Sequence, residues 1–165
     1  MKEEGKMAQA IVRNSGEGER RWFLGGGLHT WKADAGETDN AMLVFEDELV
    51  QGKVTPMHFH ADVDEALYVL EGEILLKCEG HDHVVGEGGF AFAPRGYAHA
   101  FMVTSQRARL LCIQTPGSGQ PFYRDASQPA TGETGPVDVD RLVEIAVETG
   151  ATTIVGPPPF AMSPS

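Results

Sequence analysis

At 165 residues the chain is about one domain long, enough to bury a core without disulfide staples. Its formal charge of -11, from 24 Asp plus Glu against 13 Lys plus Arg, repels phosphate backbones and anionic lipid surfaces. Neither nucleic acid nor a membrane is therefore expected as a partner.

Residues 1–20 are charged and Gly-rich and are expected to form a flexible N-terminal arm, in which Ala8 to Val12 could pair at a sheet edge. From Arg21 onward, runs rich in β-branched and aromatic residues recur: WFLGGGLHTWKA, AMLVFEDELV, ALYVLEG, EILLKCE, GGFAFAPRG, HAFMVT and RARLLCIQTP. Turn signals such as AGETDN, QGKVTP and EGHDH separate them. Strands at that spacing, without a helical pattern between them, predict an all-β antiparallel sandwich or barrel over residues 21–125. After Pro116 the stretch GSGQPFYRDASQPATGETGP reads as a long surface connection. Val139, Leu142, Val143 and Ala146 then fall at helical spacing, with Asp138 set to cap the start and Gly150 the end. Residues 126–165 are thus expected to be a loop, one short helix and an extended tail packing on the barrel.

Cys78 and Cys112 lie in strand-like runs and read as small buried hydrophobes with free thiols. With no apolar leader and no run near the ~18 apolar residues of a membrane span, a reducing, cytoplasmic location is expected.

The stretch from Gly52 to Gly72, GKVTPMHFHADVDEALYVLEG, concentrates the candidate chemistry. Side chains at i and i+2 of a strand point the same way, so His58 and His60 offer two imidazoles to one face. Glu65 opens an apolar strand, where a carboxylate is costly unless it is paired or bound to a cation. His99, entering a strand after the turn at Pro94 and Gly96, is the best remaining third imidazole. His29 reads instead as a surface or satisfied core histidine. His81 and His83 read as solvated residues of a hairpin connection, and Asp62 and Asp64 as hydrated turn residues.

These residues resemble the cupin superfamily. The first cupin motif is matched by Gly52, His58, His60, Glu65 and Gly72, and the second by Gly88, Pro94, Gly96 and His99, with Val103 where the family has Asn. The flanks WFLGGGLHTWKADAGETDNAMLVFEDEL and PFYRDA resemble single-domain cupins grouped with quercetin 2,3-dioxygenase. The resemblance implies a double-stranded β-helix, or jelly-roll barrel, with a short C-terminal helix, and a metal held by His58, His60, Glu65 and His99.

Three imidazoles and a carboxylate suit a divalent transition metal, Fe, Mn, Ni, Co, Cu or Zn, and do not suit Ca or Mg. Inward positions of the strands predict an apolar pocket lined by Trp31, Phe45, Leu67, Val69, Phe101 and Val103, with Arg95 as the lone basic residue near its mouth. If the chain is an enzyme, the resemblance implies a metal-dependent dioxygenase, an oxidoreductase cleaving an aromatic or enol-bearing small molecule with dioxygen, in which Glu65 is also the catalytic proton acceptor. The alternatives are a non-catalytic small-molecule-binding or sensor cupin, or a small-molecule isomerase. A homodimer is expected, because the outer face carrying Tyr68 and Leu70 wants cover.

Overall fold

The computed structural model describes residues 9–132 and 134–161. In its longer strands every second side chain is buried and most of these are apolar. In β3 (Leu43–Val50) Leu43, Phe45 and Leu49 point inward; in β5 (Asp64–Glu71) Leu67 and Val69 do; in β10 (Arg107–Thr115) Ala108, Leu110 and Cys112 do. With β1 (Glu19–Phe23), β2 (Leu28–Ala33), β8 (Phe90–Ala93) and β11 (Ser127–Pro129) they form a seven-stranded sheet, in the order β11-β1-β2-β3-β10-β5-β8. Facing it is a sheet built from β4 (Met57–Phe59), β6 (Glu73–Cys78), β7 (His81–Gly86), β9 (His99–Val103) and β12 (Thr153–Gly156), in the order β12-β4-β9-β6-β7. All pairings between the named strands are antiparallel.

The two inner faces enclose one core, with Trp31, Leu43, Phe45, Val69, Ile74 and Leu110 among its buried members. This is the jelly-roll barrel anticipated above. The link between β5 and β6 is the single residue Gly72, at φ +79°; a Cβ there would lie 2.1 Å from the Arg107 carbonyl oxygen, so only glycine fits. Among the described residues no helix is long and apolar enough to cross a membrane.

The C-terminal third departs from expectation in several places. PFYRDA is not surface connection: it forms most of a short helix, α1 (Gln120–Asp125), whose Phe122 and Tyr123 are buried against the barrel. Six residues are too few to show periodicity, and the surrounding Gly, Pro and Ser mask them, although Pro121 in the first turn is a start signal. The expected helix is α2 (Val139–Thr149), with the Asp138 carboxylate accepting from the Arg141 amide at 2.9 Å and Gly150 in the left-handed region. Its buried face is Leu142, Ile145 and Ala146, whereas Val139 and Val143 are exposed. The expected stripe was thus rotated by one position.

His81 and His83 are exposed but lie on β7, not in a turn, because the hairpin needs only Glu79 and Gly80, both at positive φ. At the other end, residues 9–12 pair with no sheet edge, and Ala8 falls outside the described residues.

Replacing Ile145 by Ala should cost ~2–5 kcal/mol, because it opens a cavity where α2 meets the barrel. Val147→Ala, on the opposite and exposed face of the same helix, should stay within about 0.5 kcal/mol. Chemical denaturation of the full chain distinguishes the two.

Candidate metal centre and cavity

The two sheets each contribute to one cluster inside the barrel. His58 lies on β4, His60 follows it directly, and His99 opens β9 as the cross-strand partner of His58. Glu65 comes from β5 in the facing sheet, inward because it shares the face of Leu67 and Val69. One donor atom from each of the four lies within 4.8 Å of the others, so the group could hold a metal ion. His99 Nε2 is 2.8 Å and His60 Nε2 3.2 Å from Glu65 Oε2.

Each imidazole is steered from behind. His58 Nδ1 donates to the Pro56 carbonyl at 2.8 Å and His99 Nδ1 to the Tyr97 carbonyl at 3.0 Å. His60 Nδ1 faces the Thr152 hydroxyl at 3.1 Å and the Ala151 carbonyl at 3.3 Å. These contacts hold the Nδ1 side outward, and the Nε2 atoms of His60 and His99 meet Glu65, the orientation that metal-ligating histidines require. Thr152 and Ala151 belong to the link between α2 and β12, so the C-terminal segment is part of the site. On the far side of the carboxylate, the Cys112 thiol donates to Glu65 Oε1 at 3.1 Å.

Electrostatics fit the geometry. Burial opposes the charge on Glu65, yet its bonds to His60 and His99 outweigh burial and hold the carboxyl well below the usual range. Burial likewise opposes charge on His99, and the Glu65 carboxylate reverses that and raises it. Burial, with His99 and His60 close by, pushes His58 down to about 3. Cys112 is raised well above an ordinary thiol by burial and by the neighbouring Glu65, and it stays protonated.

His58, Glu65 and His99 of the cluster line a cavity whose apolar lining includes Phe45, Leu67, Phe101, Leu110, Phe122 and Leu142. Of the residues expected there, Phe45, Leu67 and Phe101 line it. Trp31, Val69 and Val103 are buried in the surrounding core and are not among its lining; Trp31 packs beneath Arg124, 4.2 Å from its ring centroid.

Arg95 is not at this cavity. It grips Asp64 through Nε and Nη2 at 3.0 and 2.9 Å on the surface, and this bond lowers the Asp64 carboxyl to about 2. The basic residue in the lining is Lys53, with His29 and Asp47 beside it. His29 is therefore no surface residue. Alternation could have revealed Asp47, which shares the inward face of Leu43, Phe45 and Leu49; Lys53 lies in an irregular connection and carries no such signal.

Comparison with known proteins follows from residues 45–114, which match the family model described as "Cupin domain". The quercetin 2,3-dioxygenase of Bacillus subtilis (strain 168) is 28% identical over 135 residues, covering 82% of this chain and 40% of that protein. The chain therefore spans well under half the length of that relative. Among solved structures, a predicted oxalate decarboxylase from Thermotoga maritima superposes with a TM-score of 0.58 at 21% identity, covering 65% of this chain and 99% of that one. KdgF from Halomonas sp. superposes with 0.56 at 17% identity, covering 66% and 94%. At these identities the structural likenesses speak to fold alone.

His58 in an unfolded chain takes up a proton near 6.5, but in the folded metal-free protein only near 3. The unfolded state then binds more protons between those values, so this group's contribution to stability is complete above 6.5 and is lost as pH falls toward 3. The limiting slope is ~1.4 kcal/mol per pH unit. Urea denaturation of chelator-treated protein across that window should show a steeper acid decline in the wild type than in His58→Asn.

Proposed function

We propose that this chain, which carries a cupin domain over residues 45–114, binds a divalent transition metal through His58, His60, Glu65 and His99 and acts as a dioxygenase on an aromatic or enol-bearing small molecule. The observation that carries the reading is the convergence of four buried donors, three of which, His58, Glu65 and His99, line a largely apolar cavity. Three neutral imidazoles and one carboxylate fit Fe, Mn, Ni, Co, Cu or Zn. Similarity to the quercetin 2,3-dioxygenase supports the reaction class.

Such an ion, when bound, supplies Lewis acidity and redox chemistry at the substrate's oxygen, with dioxygen as co-substrate. The chain's own residues do the rest. The carbonyls of Pro56 and Tyr97 and the hydroxyl of Thr152 hold the imidazoles in position. Phe45, Leu67 and Phe101 exclude water and favour a flat ring. Glu65 is the carboxylate placed to take the proton of the substrate hydroxyl, while the Cys112 thiol secures Oε1.

The protein is further proposed to act as a homodimer in the cytoplasm. Tyr68, Phe90 and Phe92 lie together on the outer face of the seven-stranded sheet, 40%, 62% and 54% exposed, and a second copy would cover them. Cys78 and Cys112 are both free, as a reducing compartment leaves them. Light scattering should give a dimeric mass for the wild type and a monomeric one for Phe92→Glu; a monomeric wild type would refute the pairing.

Elemental analysis of protein purified without added metal should find about one transition metal per chain, and His99→Ala should lose it. Mixing the loaded protein anaerobically with a flavonol and then admitting oxygen should bleach the flavonol absorbance with matching oxygen uptake. Unchanged spectra across a flavonol panel, with metal bound, would leave a binding cupin and end the dioxygenase reading.

A further inference from the structure

The cavity lining carries further polar residues besides the candidate metal ligands. His29 and Asp47 are cross-strand partners on β2 and β3, and both line the cavity, as does Lys53. His29 is 1% exposed and its ring is sandwiched between Phe23 and Phe45, with centroids 4.8 and 4.3 Å away and planes inclined by 21° and 27°. Its Nε2 stands 3.6 Å from Asp47 Oδ1, too far for a good hydrogen bond. Among the described residues His29 Nδ1 and Asp47 Oδ1 have no hydrogen-bond partner at all.

Leaving two buried polar atoms unpaired on paired strands is costly, and interiors rarely do so without a reason. The surrounding backbone is shaped to keep them there. Gly27 sits at φ +122° and a Cβ on it would come within 2.5 Å of Asp47 Oδ1; a Cβ on Gly25 would come within 3.1 Å of Lys53 Nζ. Lys53 Nζ donates to the Gly25 carbonyl and lies 5.6 Å from the Phe23 ring centroid. Burial lowers its pKa to about 8, and Asp47 opposes that shift.

We propose that His29 and Asp47, with Lys53 beside them, form a second anchor in the cavity that takes a neutral hydroxyl of the ligand, distinct in its residues from the His58, His60, Glu65 and His99 cluster. The chemistry of the unpaired atoms selects the group. A carboxylate oxygen accepts only, and a neutral imidazole with its hydrogen toward Asp47 presents Nδ1 as a second acceptor. Two acceptors in an apolar cavity call for a donor. A phenol or alcohol supplies one and can accept in turn from the ammonium of Lys53, whereas a carboxylate or phosphate would face Asp47 and be repelled. The ligand so defined carries a hydroxyl on an apolar ring. This anchor stands whether or not an ion is held by His58, His60, Glu65 and His99.

Phenol and anisole share a flat ring and differ at this point only in the donor, so they are the probes. Each is titrated calorimetrically into the full chain, both as purified and after chelation, with histidine nitrogen resonances followed in the chelated form. Phenol should bind roughly tenfold or more tighter than anisole and than benzoate, and it should shift the His29 nitrogens. Asp47→Asn should erase most of the preference. So should His29→Phe, which keeps a ring stacked between Phe23 and Phe45. The wild-type comparison needs no variant to fold. Equal binding of phenol and anisole, tighter binding of benzoate, shifts confined to the other histidines, or no phenol binding at its highest soluble concentration would each overturn the anchor. Because the chelated arm contains no metal, none of these outcomes depends on the oxygenase reading.

Discussion

One buried carboxylate organises this molecule. Glu65 sits inside the barrel on a strand whose other inward residues are apolar, where an ionised side chain is tolerable only with compensating partners. Those partners, His60 and His99, reach it from the opposite sheet, and they do so only because the two sheets close at that end. The same constraint explains the outer hydrogen bonds: an imidazole turned toward Glu65 by Nε2 needs an acceptor behind Nδ1, and backbone carbonyls and Thr152 supply it.

The carboxy-terminal segment takes its meaning from this arrangement. Through Ala151 and Thr152 it backs His60, and β12 then pairs with β4 alongside His58. Phe122 from α1 and Leu142 from α2 line the same cavity as His58, Glu65 and His99. What looks along the chain like an appendage to the barrel is thus a wall of its site, and packing on α2 and geometry at the histidines are mechanically linked.

Fold says little about chemistry here, because barrels of this shape accommodate catalysts and plain binders alike. The informative features are those that cost stability. A core with Phe or Leu in place of His29 and Asp47 would leave two fewer unpaired polar atoms, and a surface without Tyr68, Phe90 and Phe92 would leave less apolar area in water. Both departures point outward, to something that completes the molecule.

Much was legible along the chain. Period-two alternation exposed the strands, the caps Asp138 and Gly150 bounded α2, and the spacing of His58, His60, Glu65 and His99 singled out the four donors that meet in the barrel. These signals are local, since a strand's facing and a helix's ends depend on neighbours a few residues away. Residues brought together from distant segments left a fainter trace. His29 looked ordinary because its partner Asp47 lies on another strand; Lys53 sits in an irregular connection; Phe122 and Tyr123 hide in a Gly-Pro-rich stretch; and Arg95 was drawn away by Asp64. Which polar groups share a cavity is decided by which strands become neighbours, and no short-range pattern encodes that.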